Sequence, residues 1–205
     1  GTFVLTNQPS NATKPIDAVM KPLLLLYYSL PSTSCLSLTS KTTIKGRSAV
    51  EVRNFLATPT NWPSIVASSF GVEPAEPLSP GGKTNAVDRP LQKGERVTEI
   101  FGLPPLLPLT VTWTCETNDD TTTTRRRGPS SSSLAFASAD GLAGIAENCR
   151  MLFDVVDDGG GNAAVALTME FDPVSPLANL AAPVLKLDNE FAVGTLLPLA
   201  MRKSI

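Results

Sequence analysis

The sequence predicts an α+β domain: an antiparallel sheet curving around a long C-terminal helix, with two short helices after the first strand. Three observations carry this reading. Several segments between Gly94 and Phe171 alternate apolar with polar residues, as half-buried strands do. Gly159-Gly160-Gly161 separates two of those segments as a hairpin turn. From Ser175 onward the apolar residues switch to three- and four-residue spacing, the period of a helix.

Each element follows from local chemistry. Residues 42–47 are short, polar and β-branched, which suits a strand. Ser48 stands three residues before Glu51, a capping-box spacing that starts a helix, and Val50, Val52, Phe55 and Leu56 give that helix an apolar side. The helix should stop at Thr58-Pro59, because the residue before a proline is pushed out of the α region. Asn61-Trp62-Pro63 turns into a second helical stretch over residues 64–67, and a Pro/Gly-rich loop is expected over 74–90. Strands are expected over 94–101, 109–117, 132–139, 145–156 and 163–171. The closing helix, over 175–201, carries Leu177, Leu180, Ala181, Val184, Leu187, Asp188 and Phe191 at helical spacing. Pro183 and Pro198 should bend or interrupt it. A domain over 41–205 preceded by an extension over 1–40 is the expected organisation.

Composition narrows the chemistry. With 205 residues the chain is long enough for one well-buried core, about 70% of its unfolded surface. A net charge of −2 gives no electrostatic footprint for nucleic acid. The absence of histidine excludes histidine triads, Cys–His nucleophile pairs and histidine metal sites. Cys35, Cys115 and Cys149 are too few and too scattered for a disulfide framework or a thiolate zinc site. No phosphate loop, nucleophile elbow or metal-spaced carboxylate cluster stands out, so no cofactor, metal or catalytic set is assigned.

Several blocks resemble the START, Bet v 1 and polyketide-cyclase-like superfamily, whose fold is the helix-grip. Ser48 to Leu56 followed by Thr58-Pro59-Thr60-Asn61-Trp62-Pro63 resembles that family's opening helix and turn. Gly94-Glu95-Arg96-Val97 resembles the approach to its third strand, and Asp172-Pro173-Val174-Ser175-Pro176-Leu177 its passage into the C-terminal helix. The resemblance covers residues 41–202 and implies binding of a hydrophobic small molecule, of lipid, quinone or pigment type, in an apolar cavity. Fold analogy does not choose among carrier, cyclase and ligand-dependent partner.

The candidate binding residues come from strand alternation. Val97, Glu99 and Phe101 share one face, as do Val111, Trp113 and Cys115; Cys149, Met151, Phe153 and Val155; and Val165, Leu167, Met169 and Phe171. Val97, Glu99, Phe101, Val111, Trp113, Phe136, Met151, Phe153, Leu167, Met169 and Phe171, with Phe191 from the helix, are the candidate lining. The same side chains could instead interdigitate as a filled core. Glu99 and Glu147 are either solvated carboxylates or inward groups that orient a ligand hydroxyl or act as a base, with Arg150 as a candidate partner. Cys115 and Cys149 are expected on adjacent strands, as small buried hydrophobes.

Two apolar segments suggest an alternative. The run from Leu23 to Leu30, with Leu24, Leu25, Tyr27 and Tyr28, is too short to span a bilayer. In residues 102–108, Leu103, Leu106 and Leu107 sit among three prolines and suit a docking or gating loop. These features, together with a first residue that is Gly1 and not Met, lead to the alternative expectation of a processed, non-catalytic accessory subunit. It would dock on an organellar membrane protein complex or membrane surface, in a plastid before a mitochondrion.

Overall fold

A computed structural model describes residues 35–75, 86–102, 109–121, 131–138, 140–142 and 144–203. The elements are β1 (Leu36–Ile44), α1 (Ala49–Ala57), a 3₁₀ turn (Pro59–Asn61), α2 (Trp62–Ile65), β2 (Ser69–Pro74), β3 (Arg96–Phe101), β4 (Leu109–Thr121), β5 (Ser131–Ser138), β6 (Ala146–Asp157) and β7 (Ala163–Pro173). A helical run then closes the chain: α3 (Pro176–Phe191), a π turn (Ala192–Leu196) and α4 (Leu197–Lys203).

All seven strands form one antiparallel sheet in the order β1-β7-β6-β5-β4-β3-β2. The first two strands therefore lie at opposite edges, and the chain between them, α1 and α2, has to cross the sheet. Helix α1 packs on β5, β6 and β7, while α2 meets β2 and α4. The closing run packs on β1 and β7. Strand alternation places Val97, Val111, Trp113, Cys115, Phe136, Phe153, Val155, Leu167 and Phe171 in the buried core beneath these helices.

Local signals set the helix ends. The Ser48 side chain accepts from the Glu51 N–H while the Glu51 carboxylate accepts from the Ser48 N–H, a complete capping box. Thr58 is extended, so α1 stops before Pro59 as expected. The hairpin at Gly159-Gly160-Gly161 is held by Asp158 Oδ1, which accepts from the Gly160 and Asn162 N–H groups. Gly159 and Gly161 both have positive φ, which only glycine takes at little cost.

Several expectations are corrected. The first strand begins at Leu36, six residues earlier than 42, because Leu36 and Leu38 already alternate inward against β7. Strand β2 occupies residues to which no element is assigned from the sequence, between the second helical stretch and the loop, and meets that loop only at Pro74; only six residues long and holding Gly71 and Pro74, it carries little periodic signal. Cys115 and Cys149 are not on adjacent strands, since β5 lies between β4 and β6. Both thiols are buried and free, and burial pushes each up to about 11. Arg150 pairs with Glu116 at 2.7 Å and with neither candidate glutamate. Helix α3 continues through the exposed Pro183; Asn179, whose carbonyl loses its usual donor, is also exposed to water. Pro198 does interrupt the regular ladder. The turn before it widens, and the Leu197 N–H reaches back to the Ala192 carbonyl in a π turn.

Trp62 ties the crossing segment to the sheet. Its Nε1 donates to the Leu56 carbonyl at 2.8 Å, and its ring meets Phe136 edge-on with centroids 5.2 Å apart. Trp62→Phe keeps a ring against Phe136 but leaves the buried Leu56 carbonyl without its donor. The expected loss is about 2 kcal/mol in denaturant unfolding. A loss below about 0.5 kcal/mol would show that water replaces the indole N–H.

Candidate functional site

Between the sheet and the C-terminal run lies a cavity of about 80 Å³. From the sheet it is lined by Glu99, Phe101, Trp113, Met151, Phe153, Leu167 and Met169. Leu56, Trp62, Ile65 and Leu142 close its ends, and Leu185, Asp188, Asn189, Ala192, Val193 and Leu197 roof it. The roof explains the space. The inward side of α3 carries Ala178, Ala182, Leu185 and Asn189, whereas Val184, Leu187 and Phe191 face outward, Leu187 being 67% exposed. Of the residues over the cavity, Ala192 and Val193 are the short ones and leave room that longer side chains would fill.

The cavity is apolar except at one pole. There Trp113 Nε1 donates to Glu99 Oε2 at 2.9 Å, a diagonal cross-strand contact, since Trp113 stands opposite Val97 and Glu99 opposite Val111. Glu99 is only 7% exposed. Burial pushes its carboxyl above the ordinary glutamate value of 4.5; interactions with Ser69 and Trp113 oppose the rise, and the nearby Asp188 charge adds to it. Ser68 Oγ donates to Asp188 Oδ2 at 2.7 Å. One buried group of the lining, Asn189 Nδ2, has no hydrogen-bond partner among the described residues. A protonated Glu99 can donate one hydrogen bond through the oxygen that Trp113 leaves free.

No protein-family profile and no curated protein sequence matches the chain. Solved structures do. An aromatase/cyclase from a Streptomyces species superposes with a TM-score of 0.59 at 13% identity, over 83% of this chain and 96% of that one. Norcoclaurine synthase from Thalictrum flavum gives 0.56 at 12% identity, over 86% and 100%. Ara h 8.0201 gives 0.54 at 9% identity, over 82% and 99%. At these TM-scores the three share this chain's fold. This is the helix-grip fold.

Within the helix-grip frame the candidate residues divide. Glu99, Phe101, Trp113, Met151, Phe153, Leu167 and Met169 come together around the cavity. Val97, Val111, Phe136 and Phe171 are buried in the core, away from its walls. Phe191 is 46% exposed on the outer side of α3, because the stripe of large residues at helical spacing faces solvent and the smaller stripe faces the sheet. Glu147 is exposed, beside a register shift in β6, and is a solvated carboxylate. Leu24, Leu25, Tyr27, Tyr28, Leu103, Leu106 and Leu107 lie outside the described residues. Sequence reasoning missed Trp62, Leu185 and Asn189; the recurrence of Ala178, Ala182, Leu185 and Asn189 at helical spacing was the available signal.

The buried carboxyl makes stability depend on pH. A raised folded value means that the contribution of Glu99 is fully present below about 4.5 and is lost as pH rises through the folded value. Glu99→Gln keeps an acceptor for Trp113 without the ionisation. Its stability relative to wild type should therefore rise between about pH 4 and about pH 8 in parallel denaturant titrations. A difference that stays flat across this interval would place the carboxyl in contact with bulk water.

Proposed function

We propose that this helix-grip chain binds a hydrophobic small molecule in the cavity beneath α3. The observation that carries the reading is the largely apolar space between the sheet and the closing helical run, where Ser68, Glu99, Asp188 and Asn189 are the polar lining residues. The fold relatives lend support: one is an aromatase/cyclase, and the norcoclaurine synthase structure holds a transition-state analogue. Lipid, quinone and pigment-like compounds are the ligand classes that suit such a lining.

Size restricts the ligand further. A cavity of about 80 Å³ is smaller than the ~150 Å³ apolar cavity that takes up benzene. Even a single ring therefore enters only as the walls adjust. Met151 and Met169 are the wall residues best able to do so, being unbranched with three rotatable side-chain bonds. The π turn of Ala192–Leu196 gives the roof a second place to adjust, since Ala192 and Val193 both line the cavity.

Native mass spectrometry of protein gently isolated from its source, before and after organic extraction, tests the reading. The expected result is a discrete added mass that extraction removes. Leu167→Trp, which places an indole in the cavity, should abolish re-uptake of the extracted compound while lowering stability by no more than about 3 kcal/mol. A chain that is bare before extraction, or a variant that reloads as wild type does, would overturn the proposal.

A further inference from the structure

The polar pole specifies what the ligand carries at its buried end. Asn189 is 8% exposed, faces the cavity from α3, and its Nδ2 has no acceptor among the described residues. A buried amide donor left unpaired costs about 1–3 kcal/mol, which a ligand atom in the cavity can recover. Two carboxyl groups line the same cavity: Asp188 on the same helix, which already takes a hydrogen bond from Ser68, and Glu99, which accepts from Trp113 through Oε2. No Lys or Arg is among the described lining residues.

Each candidate end group meets this set differently. A carboxylate would stand near two carboxyl groups without a lining cation, so it is disfavoured. A hydrocarbon end would leave Asn189 Nδ2 as it is, unpaired in apolar surroundings. A hydroxyl accepts from Nδ2 and donates to a carboxyl oxygen, so both sides of the pole are served at once. It also suits the amide in either of its two orientations, because a hydroxyl both donates and accepts.

We infer that the cavity selects a compact apolar molecule ending in an alcohol or phenol hydroxyl, which is held by Asn189 with Asp188 and Glu99. This rests on the cavity-binding reading and deepens it. The matched pair p-cresol and p-xylene tests it, since the two differ by a hydroxyl in place of a methyl group of similar size. Titration of extracted wild-type protein, followed by calorimetry, should show p-cresol binding about tenfold more tightly than p-xylene. In Asn189→Leu the preference should fall to within about threefold, with p-xylene affinity kept or improved. Asn189→Ala, which adds no bulk, provides the same comparison if leucine does not fit under the roof. Equal affinities in wild type, or a preference unmoved by either substitution, would overturn the inference and leave cavity binding standing. Failure of both compounds to bind would overturn the two together.

Discussion

A sheet of seven strands is about 30 Å wide, at about 4.8 Å per strand, and a helix with its side chains is only about 10 Å across. One helical run therefore cannot cover such a sheet if it is flat. Curvature is the solution, since it brings the concave face toward the run from Pro176 to Lys203. The chain between β1 and β2 must cross from one edge to the other, and it does so as α1 and α2, which close what the long helix leaves open. Trp62 joins that crossing segment to the middle of the sheet through Phe136.

The same geometry produces the cavity. Where a helix lies across the mouth of a curved sheet, the space beneath it depends on side-chain length at the inward positions. Among the roof residues Ala192 and Val193 are short, while Leu167, Phe153 and Met151 on the floor fill only part of the depth. Had Val184, Leu187 and Phe191 faced inward, the helix would have presented a bulkier surface to the floor. Rotation of α3 by a fraction of a turn separates these two arrangements, and hydrophobicity alone favours the one that is not adopted. Past the π turn, the buried Leu197 and Met201 of α4 anchor the C-terminal end of the run.

This explains what was legible in the sequence. Features decided within a few residues were readable: the Ser48–Glu51 capping box, the Thr58-Pro59 stop, the glycine hairpin, and the alternation that turns Trp113, Phe153 and Leu167 inward. Features decided by pairing were not. Strand β2 becomes a strand because β3 offers it an edge, and the order of β4, β5 and β6 separates Cys115 from Cys149 despite matching alternation. For the site, the sheet half was visible, Glu99 included, because a period of two fixes the face. The helix half was hidden, since two helical stripes competed and the one with smaller residues faces the sheet.

The polar pole gives that outcome a physical sense. Burying Glu99 and Asn189 under a helix is unfavourable for folding, because one is a carboxyl whose charged form is desolvated and the other holds a donor without an acceptor. Apolar replacements of similar size would pack the same space at lower cost. A buried donor without a partner, as Asn189 Nδ2 is among the described residues, calls for an explanation outside folding. Glu99 and Asn189 lie against the same space, one on the floor and one on the roof, so a single molecule seated there can touch both. For the ligand proposed above, these polar lining groups would fix which way round it sits.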